Sequence, residues 1–291
     1  MRSTSIPLIL AVIWIGCDCA KNAINSCIYS SGKNVVTFIC SDYKNERLFH
    51  ASTTHRCDEG DVDLEFNKAN IKTVDFHNCE LQHIPRELYE EYGGIQVLNI
   101  SHLGLKWLYL EEARRLVKLF ASHNKLRMIP EHLGGIKVID LSHNEIDDNA
   151  SDISEFSRKN LFLESNKVFQ LNLSYNQFSK LSAGIFGKFK NLRHLNMSHN
   201  RITKIEPKTL MHQTKLESLV LSYNLLITIS NNIFPFQSKH LKSLFIEGNN
   251  LLQTMSGFTP SNYPNLVIIN TKKIKVDQSK NISNKVMIVK H

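Results

Sequence analysis

Beyond its first fifteen residues, this 291-residue sequence has no apolar run long enough to cross a membrane. It also has no H-E-x-x-H helix, no G-x-S-x-G elbow and no glycine-rich phosphate loop, and its cysteines never fall at C-x-x-C spacing. The first absence excludes a multi-span protein. The others remove the signatures of zinc peptidases, serine hydrolases, nucleotide-binding enzymes and structural zinc sites. The sequence therefore predicts no enzyme, no cofactor and no metal. What it does have is 42% hydrophobic residues, enough for one large core or a long solenoid.

The first 19 residues read as an export signal, with Arg2 at the charged end, an apolar stretch at 6–15, and small residues near Cys17 and Cys19. A secreted, extracellular protein is the expectation. Removal of that segment leaves Cys27, Cys40, Cys57 and Cys79, an even set near one end of an exported chain, which permits three disulfide pairings. Cys27 and Cys40 enclose the strand-like "NVVTFIC", so their pairing is expected to close a small hairpin cap, with Cys57 and Cys79 as the second pair.

The formal net charge is +8, and much of it lies at the C-terminus, where Lys272, Lys273, Lys275, Lys280, Lys285 and Lys290 face only Asp277. The body is close to balanced and the tail is basic. Such a tail fits a solvated terminus or a docking patch for an acidic partner. No aromatic and basic groove accompanies it, which argues against nucleic acid.

A repeat dominates the rest. "LRHLNMSHNRITKI" (192–205) reads L-x-x-L-x-L-x-x-N-x-L-x-x-I, and "LESLVLSYNLLITI" (216–229) and "LKSLFIEGNNLLQT" (241–254) follow it. Earlier copies begin at 71, 95, 116, 136 and 168, which places the Asn-equivalent at 79, 103, 124, 144, 176, 200, 224 and 249. Alternating apolar positions such as Leu195 and Met197 point inward from a short strand, and stacked strands bury that face only against neighbouring coils. Over 71–276 the sequence resembles the extracellular leucine-rich-repeat family. The resemblance implies an α/β solenoid, a horseshoe of eight to nine repeats with a parallel β-sheet on its concave face. The domain plan is then an export signal at 1–19, a disulfide-bearing N-terminal cap at 20–70, a solenoid at 71–276 that is irregular at 145–167, and a basic tail at 277–291.

Within each repeat the Asn ends the strand, and its amide satisfies backbone groups that the bend leaves unpaired. Cys79 is an allowed alternative. Leu103 has no such amide, so its turn should differ. "IPREL" (84–88) and "IPEHL" (129–133) suit convex returns, where proline fixes an irregular connection.

Two columns offer recognition chemistry. Just before the Asn stand Asn78, His102, His123, His143, Tyr175, His199, Tyr223 and Gly248, expected along one rim of the concave face. A histidine file of this kind could sense pH, bind metal or contact a partner, although Ser-His-Asn is also an ordinary filling of the repeat. Between the inward strand residues stand Asp75, Asn99, Phe120, Asp140, Asn172, Asn196, Val220 and Phe245, a polar and aromatic mixture suited to protein recognition. Asn99, Asn172 and Asn196 are also glycosylation acceptors, as are Asn149 and Asn281, and Asn149 in the irregular return is the preferred acceptor.

"IDLSHNEIDD", "RKNLFLESNKV" and "LFIEGNNLLQ…NLVIINTKKIKV" resemble the dipteran leucine-rich immune proteins, in which the solenoid continues into a cysteine-bearing coiled coil. Residues after 276 carry neither heptads nor cysteine, so a solenoid-only relative is expected. The resemblance implies a recognition protein of innate immunity for a protein or a glycan-bearing microbial surface. The alternative is an extracellular adhesion or developmental matrix protein.

One stretch resists the repeat. "LFLESN" (161–166) and "LNLSYN" (171–176) carry the same phrase ten residues apart, too close for two coils. Either 145–167 form one long convex excursion, the favoured expectation, or the first copy is a strand whose return is missing. A similar doubling at 62–79 makes "LEF" (64–66) a candidate last strand of the cap.

Overall fold

The computed structural model describes residues 35–39, 71–77, 81, 83–84, 86–148, 167–234, 239–259, 262–269 and 275–276. The export segment 1–19, Cys27, Cys40, Cys57, Cys79, the sequons at Asn149 and Asn281, the phrase at 161–166 and the tail 277–291 lie outside the described residues.

The strands are β1 (Val35–Ile39), β2 (Thr73–His77), β3 (Val97–Asn99), β4 (Lys118–Phe120), β5 (Val138–Asp140), β6 (Gln170–Asn172), β7 (Lys180–Leu181), β8 (His194–Asn196), β9 (Lys204–Ile205), β10 (Ser218–Val220), β11 (Thr228–Ser230), β12 (Ser243–Phe245), β13 (Thr254–Ser256), β14 (Val267–Ile269) and β15 (Lys275–Val276). One parallel sheet runs β1-β2-β3-β4-β5-β6-β8-β10-β12-β14. Two narrower parallel ladders, β7-β9 and β11-β13-β15, stack beyond the turns. The architecture is a leucine-rich-repeat solenoid of parallel strands. Helix among the described residues is limited to α1 (Glu87–Glu91), a 3-10 turn at Asn231–Ile233 and 3-10 backbone at Asp148, because coils this short leave room only for turns on the return.

Each coil contributes its middle strand residue to the core. Val74, Leu98, Leu119, Ile139, Leu171, Leu195, Leu219, Leu244 and Ile268 are in register across the sheet, and all are fully buried. Burial of a leucine is worth roughly 1.5–3 kcal/mol, so this column alone strongly favours stacking. Phe178, Phe186 and Phe189 fill the interior of the coil that begins at Val168, and Phe234, Phe258 and Tyr263 form an edge-to-face and tilted cluster near the last coils.

The Asn residues tie coil to coil. The Asn144 Nδ2 donates to the carbonyls of Leu141 (3.0 Å) and Ser142 (3.1 Å) and of Ala121 in the coil before (3.0 Å), while its Oδ1 accepts from the Leu126 N–H (3.0 Å). Asn124, Asn176, Asn200 and Asn224 repeat the pattern with equivalent partners. Leu103 is accommodated by an altered turn. Its own carbonyl accepts from the Leu81 N–H at 2.7 Å, the bond an Asn amide oxygen would otherwise make, and Gly104 follows at φ +78°.

The strand-like 35–39 forms β1, which runs parallel to β2 and extends the solenoid sheet, while the disulfide-closed hairpin expected around it lies outside the described residues. β1 is bonded directly to β2, and "LEF" (64–66) lies outside the described residues. Likewise β5 is bonded directly to β6, and Asn176 donates to Leu141 as Asn144 does to Ala121. The coils of Asn144 and Asn176 are therefore consecutive. Just ahead of the long connection, the Asp148 carboxylate accepts from the Ser179 and Lys180 N–H groups and the Ser179 hydroxyl.

Candidate functional site

The rim column forms a continuous stack of rings. His102, His123, His143, Tyr175, His199 and Tyr223 follow one another at centroid separations of 4.1, 3.9, 4.0, 4.1 and 4.4 Å, with planes within 12° of parallel. The backbone makes this possible. All six residues are left-handed, with φ between 53° and 62°, a conformation rare for side chains of this size. Each also donates its N–H to the carbonyl one place before the ladder residue of the next coil, as His123 does to Ser142 and Tyr175 to Ser198, both at 3.0 Å. Left-handed strain of about 1–2 kcal/mol per residue is offset by that bond and by stacking worth about 0.5–1.5 kcal/mol per pair. The stack ends at Gly248, φ +72°, whose added Cβ would lie 2.5 Å from the Tyr223 ring.

Stacking takes water from both faces of the four inner rings while leaving the edges open. This desolvation, followed by repulsion from His143 and His102, lowers the pKa of His123, and Asp140 opposes the shift. Desolvation and then His143 lower that of His199. Nearly parallel rings aim their nitrogen lone pairs side by side, so neighbouring imidazoles do not converge on one ion. Among the described residues no cluster of His, Cys, Asp and Glu forms a metal-binding group.

The sheet column is aligned as the repeat requires, with Asp75, Asn99, Phe120, Asp140, Asn172, Asn196, Val220 and Phe245 paired in register. Its polar members have a second role that the sequence reading missed. The Oδ1 atoms of Asn99, Asp140, Asn172 and Asn196 each accept from the N–H two residues on, at 2.9–3.2 Å, closing the strand end as an Asx turn. Asn172 also donates to Asp140 at 3.0 Å and accepts from the Ser174 hydroxyl. The Asn or Asp two places before a Ser is the available signal, hidden behind the reading of this column as recognition groups and of Asn99, Asn172 and Asn196 as glycosylation acceptors. Phe120 and Phe245 are the half-buried aromatics of this face.

A third feature of this surface is apolar. Beyond Tyr223, the side chains of Leu225, Ile227 and Leu251 are 43%, 46% and 52% exposed in two adjacent coils. On the opposite margin Glu217 joins Arg193 (3.2 Å) and Lys242 (2.7 Å) across three coils, with Lys242 the main cause of its lowered pKa. Exposed pairs of this kind contribute little to stability. Among the described residues no helix is long and apolar enough to cross a membrane.

The leucine rich repeat family model matches residues 166–226 and 199–251. No curated protein matches the chain by sequence. Among solved structures, the TLR13–ssRNA13 complex is similar at 21% identity and TM-score 0.53, over 71% of this chain and 33% of the other. The leucine-rich repeat domain of mosquito APL1B is similar at 18% identity and TM-score 0.50, over 69% of this chain and 62% of that one. The Leptospira interrogans LRR protein LIC12759 is similar at 22% identity and TM-score 0.50, over 69% and 49%. The chain thus spans between a third and about three fifths of the length of these structures. Repeat match, sheet topology and structural likeness agree on one fold, the leucine-rich-repeat solenoid.

Proposed function

We propose that the protein is a secreted, non-enzymatic recognition protein of innate immunity, which binds a protein or glycan-bearing microbial surface through the solenoid. The observation that carries this reading is the aligned outer face of the sheet. Phe120 and Phe245 stand in one register column with polar neighbours, beside a rim of ordered rings, and such half-buried aromatics act as binding anchors. Likeness to the APL1B repeat domain supports the fold on which the reading rests. Nucleic acid is disfavoured by the stack itself. The TLR13 structure is a complex with single-stranded RNA, but here the ring faces are covered by one another and give bases no platform. Glycans at Asn149 and Asn281 and disulfides among Cys27, Cys40, Cys57 and Cys79 belong to the same proposal. The basic tail favours a second reading, an adhesion protein docking to acidic matrix.

The test is affinity capture from body fluid with the tagged full chain, followed by mass spectrometry. The expected result is a partner recovered by the native protein, with recovery falling about tenfold or more for Phe120→Ala/Phe245→Ala, the loss typical of an anchor pair. Recovery of a partner that the double variant retains in full would move binding off the concave face. A transcript induced by infection supports immunity, and constitutive epithelial expression supports the adhesion reading.

A further inference from the structure

The ring stack is a rim about 20 Å long, as six strand-spaced rungs imply, and it presents edges only. Aromatic edges carry the positive end of the ring quadrupole, and four of the six rungs are imidazoles, the side-chain type that switches between neutral and cationic forms. The fixed charges around them are nearly balanced. On the flank following the turn stand Lys106, Lys125, Arg127 and Arg201 with Glu145 and Asp147; Asp140 faces His123 from the sheet, and Glu247 lies beyond Tyr223. Arg127 and Glu145 pair at 3.2 Å. The sign of the rim is therefore set by the imidazoles. Its far end is apolar, with Tyr223, Leu225, Ile227 and Leu251 exposed together.

We propose that this rim is a docking site for an extended acidic polypeptide segment bearing apolar side chains at one end, which engages as the imidazoles take up protons. The inference deepens the partner-binding reading above and rests on it. An extended chain covers about 20 Å in six residues, which matches the ladder. Carboxylates remain ionised at pH values where imidazole becomes charged, so the attraction grows as pH falls below about 6.5, with His123 and His199 charging later than an ordinary imidazole because stacking desolvates them. The apolar end favours a polypeptide over a sulfated polysaccharide, which has no side chains to place against Leu225 and Ile227. The proton-dependent attraction belongs to the histidine-rich end and the proton-independent part to the Tyr223 end.

The probe is a fluorescein-labelled peptide of six glutamates followed by Leu-Phe-Leu, titrated with the full chain at constant ionic strength near pH 5.5 and near pH 7.5. Binding should be about tenfold tighter at the lower pH, the equivalent of 1.4 kcal/mol shared among the imidazoles. The variant His123→Phe/His143→Phe keeps planar rings in the stack and should lose most of that ratio. The variant Leu225→Ser/Ile227→Ser should weaken binding about fivefold at both pH values and leave the ratio intact, as removal of two apolar contacts does. Equal affinity at both pH values in the native protein overturns the proposal without recourse to any variant. So does a peptide lacking Leu-Phe-Leu that binds as tightly, or an unchanged ratio in the Phe variant. Tighter binding of a heparin oligosaccharide overturns it in favour of a glycan. A captured partner lost with Phe120→Ala/Phe245→Ala but kept with His123→Phe/His143→Phe leaves the general reading standing and removes this one alone.

Discussion

Gly248 shows how one residue closes an array. It occupies the ladder column, shares its positive φ, and lies under the Tyr223 ring where no Cβ fits. Gly248→Ala should cost about 1–2 kcal/mol from the left-handed backbone, plus the displacement of Tyr223. In a Tyr223→Ala background the second part disappears, so thermal melts of the four proteins should give non-additive losses. Additive losses would mean that the ring and the glycine do not meet. The same column measures what could be read beforehand. Asn124, Asn144, Asn176, Asn200, Asn224 and Asn249 were legible because only an amide both donates and accepts at a buried bend, and all six are buried. The left-handed backbone one place earlier was not, because His and Tyr read there as ordinary surface fillers. Gly248 in that column was the one visible hint.

The ladder as an element should respond to acid with a definite sign. The folded pKa values of His123 and His199 are lowered, so above the unfolded value of about 6.5 both are neutral in either state and the folded protein keeps its full stability. As pH falls below that value, the unfolded chain takes up protons first and stability declines. The decline levels off once the folded pKa values are passed. Urea melts should therefore show a midpoint that is flat above neutrality and falls as pH drops below about 6.5, whereas His123→Phe/His199→Phe flattens that limb. A midpoint insensitive to pH in the native protein would contradict the stacked geometry. The element was half legible. Register placed the histidines in one file, but face-to-face contact follows from a backbone and a hydrogen-bond pitch that residue types alone do not reveal. The Asx turns of Asn99, Asp140, Asn172 and Asn196 were hidden in the same way behind a reading of them as acceptors and binding groups.

Across the whole molecule, stability is a chain of nearest-neighbour contacts, and the weakest joint decides whether the solenoid unfolds as one body. That joint lies between β5 and β6, the two consecutive strands separated by the longest connection among β2 to β14. The repeat steps located the interruption in the sequence, and direct pairing of β5 with β6 explains why it does not split the sheet: Val168 starts the next coil fully buried, and Asn176 carries the side-chain bonds across. Its Nδ2 reaches Leu141 at 2.9 Å and its Oδ1 receives the Ile146 N–H at 3.0 Å, while Asp148 holds Ser179 and Lys180 from the other side. Asn176→Ala leaves buried backbone groups on both coils without partners, each costing about 1–3 kcal/mol. Asn200→Ala removes the equivalent bonds within a regular pair of coils and serves as its control. Both should lower the urea midpoint by similar amounts, because the lost bonds are alike. Only Asn176→Ala should separate unfolding into two steps, with amides of β2 to β5 and those of β6 to β14 exchanging hydrogen at different urea concentrations. Hydrogen exchange read by mass spectrometry resolves the two blocks, and a single cooperative loss of protection in Asn176→Ala would show that core packing across Ile139 and Leu171 outweighs the amide bridge.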